Sequence, residues 1–360
     1  MHRYWSRDFH NPSAIYEEGR EVRVNIENSR KEMAHLLGVK KGDIVFTSGG
    51  TESNNLAILG TFEAVRDPLR RESPILRPHL IISNLEHSSV IESAEEVIRR
   101  GGEVSVVEAG EDGRVSPQAV RELIKPNTFL VSISSAHHET GIIQPIREIS
   151  CVLREVRGKE NRYPYLHVDA SQTPNYLDVS PTRHNIDFLT LDSSKVYGPR
   201  GVGALVVRAS SSLRPIILGG EQERGLRAGT ENTALIAGFA LALRLAYRDR
   251  KGESERLQVL KKYFISELQT TVPEMRILSQ VENALPNMVA VELPAGFIGE
   301  MIILDLDRRG VMVSGGSACL NLGGHPNESL IRFSLGRGTK RNELKKVVKI
   351  FSQILNHDKI

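Results

Sequence analysis

Tyr165-Leu166-His167-Val168-Asp169-Ala170-Ser171-Gln172 reads as a short β-rich run that ends on an aspartate and passes into a turn. A carboxylate at that place stands on the edge where parallel sheets bind ligands, and its plain alternative is an aspartate that caps a helix. The fold is decided by repetition of this pattern on both sides. Runs of the same kind occupy residues 44–47, 79–83, 104–107 and 129–134 before it, and 187–191 and 203–207 after it. Stretches of helical period separate most of them. That alternation predicts an α/β fold: a mostly parallel central sheet with helices on both faces. Ser116-Pro117 supplies one helix with an N-cap and a proline at its first position, and Pro145 opens the helix that carries Cys151.

Further along, residues 234–247 form the most apolar stretch, too short to span a bilayer and interrupted by Arg244, so they predict a buried helix. Residues 248–255 are almost wholly polar and read as a hinge. The predicted domains are therefore a large one over 11–250 and a smaller α+β one over 251–360. The second is expected to hold a helix near 255–270, a strand near 288–292, a helix near 298–309, a strand at 331–334 and a last helix from about 342.

Forty-seven basic residues against 44 acidic ones leave a net charge of +3, so no global field points to nucleic acid or to a membrane surface. Cys151 and Cys319 are the two cysteines of the chain, too few for a disulfide framework or a zinc cluster, and the cytoplasm is the expected compartment. Cys151 is expected to be inert core. Arg3 and Arg7 have no apolar run behind them, so no signal peptide is expected.

Three segments carry chemistry. Thr47-Ser48-Gly49-Gly50-Thr51-Glu52-Ser53 follows a strand and opens a helix, where backbone N–H groups can hold an anion such as phosphate. Asp169 ends its strand, and Lys195, in Asp192-Ser193-Ser194-Lys195-Val196-Tyr197-Gly198-Pro199, lies just past the next one. Each feature alone has an ordinary structural reading. Together they match what pyridoxal phosphate (PLP) requires: a lysine for its aldehyde, a carboxylate for its ring nitrogen and a seat for its phosphate. Arg332 could add a fork for the carboxylate of an amino-acid substrate.

At this point the chain resembles the cysteine desulfurases, in the class V aminotransferase branch of the fold type I PLP enzymes. The resemblance rests on Phe46 to Leu56, on Glu86-His87-Ser88-Ser89-Val90, on Glu139-Thr140-Gly141 and on His167-Val168-Asp169-Ala170. It continues through Lys195 to Pro199, Arg224 to Thr230, Ser317-Ala318-Cys319 and Arg332 to Arg337. It implies a homodimer that converts L-cysteine to L-alanine and leaves the sulfur as a persulfide on Cys319. A sulfur-acceptor or scaffold protein, as in iron–sulfur cluster assembly, is an expected partner. Position by position, it implies that Lys195 binds the cofactor aldehyde, Asp169 the pyridine nitrogen and Gln172 the phenolic oxygen. It implies that His87 stacks on the ring and moves protons, and that Gly50, Thr51 and Ser194 seat the phosphate. Thr230 is implied to reach the phosphate of the neighbouring subunit, and His138 and Arg332 to hold the substrate.

Departures from the family pattern set further expectations. The short strand and Asn-Ala-Ala-Thr-Thr-Pro-like segment ahead of the first helix have no counterpart, so the start of the chain is expected to be shortened or the site remodelled. The twelve residues between Cys319 and Arg332 make a shorter loop than the family tends to have. Asp192 and Ser194 stand where the family has serine and histidine. An ionised aspartate about 4 Å from a phosphate charge costs on the order of 4 kcal/mol per charge pair at an effective dielectric of about 20, so Asp192 is expected to turn away, be neutralised or weaken cofactor binding. His137-His138-Glu139 replaces Asn-Asn-Glu; adjacent residues at a strand end point to opposite faces, so the histidines are not expected to share an ion, and no metal is predicted. Two other functions stay open at this point: a related PLP lyase or aminotransferase that uses no persulfide, and a non-catalytic relative that keeps the fold as a scaffold.

Overall fold

The computed structural model describes residues 1–67, 75–158, 162–208, 211–280, 282–316 and 329–357. Contacts group the chain into two units, one of residues 1–135 and 144–249, the other of 136–143 and 250–360. This differs from the predicted boundaries of 11–250 and 251–360 mainly at 136–143, which groups with the second unit.

The first unit opens with a single-turn helix α1 (Arg3–Ser6) and the long α2 (Glu17–Leu37). Its sheet and helices then alternate: β1 (Ile44–Thr47), α3 (Gly50–Arg66), β2 (His79–Ser83), α4 (Ser88–Arg99), β3 (Glu103–Val107), α5 (Pro117–Leu123), β4 (Thr128–Ser134), α6 (Ile146–Arg157), β5 (Tyr165–Asp169), α7 (Pro181–His184), β6 (Phe188–Asp192) and β7 (Gly203–Val207). The sheet order is β1-β7-β6-β5-β4-β2-β3. Strands β3, β2, β4, β5 and β6 pair in parallel, whereas β7 pairs antiparallel with both β6 and β1. Two antiparallel steps return β1 to the direction of β6. The carboxyl ends of β1, β2, β4, β5 and β6 therefore share one edge, and the start of α3 follows β1 on that edge.

The strands read as continuous apolar runs because helices cover the sheet, so both faces are dry. All seven residues of β4 are buried, and α3 contributes Leu56, Ile58, Phe62 and Val65 to the core. Two buried histidines are paired through both ring nitrogens, as burial demands. His79 bridges Thr128 Oγ1 and Ser105 Oγ at 2.8 Å each, and His167 bridges Ser132 Oγ at 2.8 Å and Thr190 Oγ1 at 3.0 Å. Burial pushes both imidazoles down to about 4, so each acts as a neutral cross-strand link. Ser116 caps α5 as its sequence predicts, and Pro145 precedes α6. Cys151 is half-buried on α6 rather than enclosed in the core.

The predicted hinge at 248–255 is not a break. One helix, α8, runs Thr233–Thr271 straight through it. The polarity of that stretch comes mostly from arginine, lysine and glutamate, which are good helix formers; Asp249, Gly252 and Ser254 are weaker ones, and no proline interrupts it. Polar composition marked an exposed helical segment, not a linker.

The second unit adds β8 (Arg276–Ile277), β9 (Met288–Glu292), α9 (Gly299–Arg308), β10 (Ser314–Gly315), β11 (Leu330–Ser334) and α10 (Arg341–His357), with an antiparallel sheet ordered β10-β11-β9-β8. Phe333 of β11 meets Phe264 of α8 at 5.1 Å and Phe351 of α10 at 5.5 Å, both edge to face. Lys261 is fully buried, donates to the Leu285 carbonyl at 3.0 Å, and is lowered to about 8 by burial.

Candidate active site

Two aspartates end adjacent strands of the first unit, and each folds the following turn onto itself. Asp169 Oδ1 accepts from Ser171 N–H at 2.9 Å and from its hydroxyl at 2.6 Å. Asp192 Oδ1 accepts from Ser194 N–H at 2.8 Å and from its hydroxyl at 2.6 Å. This is the local side-chain-to-backbone bonding that Asp and Ser offer at turns, here repeated as Asp-x-Ser at two strand ends. The second oxygen of each carboxylate faces α3. Gly50 N–H donates to Asp192 Oδ2 at 2.9 Å, and one turn on Asn54 Nδ2 donates to Asp169 Oδ2 at 2.8 Å.

Close approach of backbones makes this arrangement possible. A Cβ at Gly203 would lie 2.6 Å from the Gly49 carbonyl carbon, so only glycine lets β7 pass the turn that opens α3. A Cβ at Gly50 would be 3.1 Å from Ser171 Oγ and 3.4 Å from Asp192 Oδ2, which puts Gly50 between the two aspartate turns.

From Asn54 the network continues to His87. Asn54 Nδ2 also donates to Ser89 Oγ at 2.9 Å, and Ser89 Oγ lies 2.8 Å from His87 Nδ1. Ser89 N–H donates to the same nitrogen at 3.1 Å, which makes His87 the N-cap of α4. Nδ1 is thereby an acceptor, and the ring proton of neutral His87 sits on Nε2. Beneath this chain lies Glu86, wholly buried. It accepts from Ser83 Oγ at 2.5 Å and from Ser134 N–H and Oγ–H at 2.9 and 2.7 Å. Burial, reinforced by the charge of Asp169, raises its carboxyl to about 7 against the lowering effect of those three donors.

Lys195 rides on a short 3₁₀ turn, Ser193–Val196, that ends with Tyr197 in the left-handed region at φ 62°. Its backbone is anchored, since Asn175 Nδ2 donates to Lys195 O at 2.7 Å and Val196 is buried. Its side chain is exposed. Gln172 lies half-buried in the turn after β5, and Thr51 is exposed at the second position of α3. Thr230 is exposed and lines two cavities of about 450 and 260 Å³, the larger shared with Trp5, Phe9 and His10.

In the second unit, Arg332 Nη1 donates to the His138 carbonyl at 2.7 Å, while its buried Nε has no partner among the described residues. Burial lowers this guanidinium from its ordinary value, with Glu139 opposing. His138 thus meets Arg332 through its backbone. The expectation that His137 and His138 point apart is corrected: they lie in a turn, not a strand, with ring centroids 5.0 Å apart, edge to face. Among the described residues no group of three or more His, Cys, Asp or Glu could hold a metal. Cys319 lies outside the described residues.

Sequence reasoning attached no role to Asn54, Ser89, Ser171 or the carboxyl of Glu86. The repeated Asp-x-Ser at successive strand ends was the available signal for the turns. The residues suit PLP. A fixed carboxylate and a capped imidazole stand ready for a pyridine ring, a lysine lies at the next strand end, and the donors at the start of α3 already hold anionic oxygen in the form of the Asp192 carboxylate.

Comparison with known proteins gives the same family from three directions. Residues 1–347 match the model of the class-V aminotransferases. A cysteine desulfurase IscS of Dictyoglomus turgidum is 36% identical over 368 residues, covering 99% of this chain and 90% of that protein. Cysteine desulfurase IscS 1 of Archaeoglobus fulgidus is 38% identical over 332 residues, covering 92% and 82%. Among solved structures, a NifS-like protein superposes with a TM-score of 0.89 at 29% identity, covering 99% of this chain and 94% of that one.

Proposed function

The chain belongs to the class-V aminotransferase family and, within it, to the cysteine desulfurases, and on that premise we propose how its own residues divide the work. It is a PLP-dependent enzyme that converts L-cysteine to L-alanine and takes up the sulfur. The cofactor, when bound, supplies an electron sink that protein side chains lack. Lys195 would hold its aldehyde, and its amine would move the proton at the substrate Cα. Asp169, held by three donors, keeps a proton on the ring nitrogen. His87 covers the ring and offers its Nε2–H, and Gln172 donates to the phenolic oxygen. Gly50, Thr51 and Ser194 form the phosphate seat.

Arg332 binds the substrate carboxylate, which supplies the acceptor that its buried Nε–H lacks, and His138 lies beside it. The Cys319 thiolate attacks the substrate sulfur: an S–S bond forms as the Cβ–S bond breaks, and a proton on that carbon completes alanine. The persulfide sulfur then passes to an acceptor or scaffold protein. The observation that carries the reading is the continuous bonding from His87 through Ser89 and Asn54 to Asp169 at the edge where Lys195 emerges. Incubation of the PLP-loaded protein with L-cysteine and a thiol reductant is expected to release alanine and sulfide in equal amounts; absence of alanine overturns the reading.

The working form is a homodimer in the cytoplasm, with Thr230 reaching the neighbour's phosphate seat. Two features support this: Thr230 is exposed, and the adjoining start of the chain displays Trp5, Phe9, Ile15 and Tyr16 at 59, 66, 89 and 48% exposure, more apolar surface than a lone subunit is expected to leave in water. No helix among the described residues is long and apolar enough to cross a membrane. Sedimentation at micromolar concentration is expected to give the mass of two chains, and a monomer alone contradicts the assignment.

A further inference from the structure

The seat at the start of α3 holds an anion that comes from the chain itself. Asp192 is bound through both carboxylate oxygens: Oδ2 by Gly50 N–H at 2.9 Å, Oδ1 by Ser194 N–H at 2.8 Å and Ser194 O–H at 2.6 Å. Gly50 and Ser194 are two of the three residues that the proposed function assigns to the cofactor phosphate, Thr51 being the third. A carboxylate next to the first N–H groups of a helix is also favoured by the helix dipole, so the position is a stable one for Asp192 and not a passing contact. The donors on the ring side are different groups. Asp169 draws on Ser171 and Asn54, and His87 on Ser89, and among the described hydrogen bonds none of these runs to Asp192.

From this separation we propose that Asp192 sets cofactor specificity: its carboxylate fills the phosphate seat, so the cofactor phosphate and the Asp192 carboxylate exclude each other there. The ring half of the site is left intact. The phosphate then adds little net affinity, because the bonds it gains from Gly50 and Ser194 are ones that Asp192 gives up, and the displaced carboxylate repels it, which offsets what Thr51 adds. The chain accordingly takes pyridoxal, which has the aldehyde and ring but no phosphate, about as readily as PLP. The inference rests on Lys195 as the attachment residue, and the test separates the two.

Full-length protein stripped of cofactor is titrated with PLP and, separately, with pyridoxal, following the visible absorbance of the lysine-bound form in wild type, Asp192→Ser and Asp192→Asn. In wild type the two dissociation constants are expected to agree within roughly tenfold. Both variants remove the charge, and asparagine keeps the size and an acceptor oxygen. Each is expected to bind PLP about ten- to a hundredfold more tightly than wild type, the range of a charged hydrogen bond, with pyridoxal unchanged. Wild type that already prefers PLP by about a hundredfold or more overturns the proposal without any variant. Equal gains for PLP and pyridoxal in the variants also overturn it, since the effect would then not lie at the phosphate. Absorbance with neither compound in all three proteins overturns the Lys195 reading and this inference with it.

Discussion

Lys195→Ala is expected to lose covalent attachment of the cofactor and to lower turnover by at least about 10²- to 10⁴-fold, the usual worth of a positioned acid–base group, while the protein stays folded. The last clause is what makes the experiment informative. Everything that fixes the turn lies in groups the substitution leaves alone: the Lys195 carbonyl held by Asn175, the buried Val196, and Asp192 bonded to Ser194. The side chain itself is exposed, and exposed side chains outside special contacts change stability by roughly 0.5 kcal/mol or less. Thermal melting should therefore be close to wild type. Borohydride reduction of the loaded wild-type protein, followed by peptide mass analysis, should place the pyridoxyl group on Lys195, and the variant should carry none. Labelling at another lysine would sink the assignment. Lys261 is the internal control, since burial lowers it to about 8 and makes its amine a better nucleophile at neutral pH than an ordinary lysine, yet it is fully enclosed and committed to a backbone carbonyl.

Most of the fold was legible because of where this sheet lies. Strands covered on both faces have no reason to alternate, so each becomes a short apolar block bounded by turn residues, and such blocks are easy to delimit. Strands β1, β2, β5 and β7 occupy the predicted residues to the position, and β3, β4 and β6 differ by one. The same reasoning could not see β8 or β10. Each has two residues, too few for any period, and each exists only because a longer strand offers its edge: Arg276–Ile277 on β9 and Ser314–Gly315 on β11. The hinge failed for a different reason. A run such as Arg248 to Glu255 is polar both in a linker and on the wet side of a helix, and what separates the two is the fixed backbone on either side, which composition does not report.

The site divides along a similar line. Asp169 and Lys195 are legible because strand ends of a parallel sheet are where ligands bind, and a carboxylate or an amine there stands out. Asn54 and Ser89 are not, because each looks like an ordinary polar residue of a helix. Their role arises only when α3 and the start of α4 bring an amide and a hydroxyl between His87 and Asp169. Asp192 lies between the two cases. Its charge beside a phosphate seat was visible as a conflict, but the choice between turning away and turning in depends on Gly50 N–H and Ser194, and they draw it in. For His137 and His138 the error was in the element. Opposite faces follow from a strand, whereas residues 137–140 follow a turn, which lets neighbouring rings meet.

Cys319→Ala is expected to keep the cofactor and lose the product. The described bonds of Lys195, Asp169 and His87 run to Asn175, Ser171, Asn54 and Ser89, so the absorbance of the lysine-bound cofactor and its change on adding L-cysteine should persist. Sulfide release should fall by about three orders of magnitude or more, because the nucleophile itself is gone. Wild-type protein treated with L-cysteine and then digested should show one added sulfur atom on the peptide containing Cys319, and none on the peptide containing the half-buried Cys151. Serine at 319 should behave as alanine does, since an alcohol at neutral pH is far less nucleophilic toward sulfur than a thiolate. If the alanine variant turned over L-cysteine at the wild-type rate, sulfur would leave without passing through the chain, and the protein would be a PLP lyase in which Cys319 is incidental.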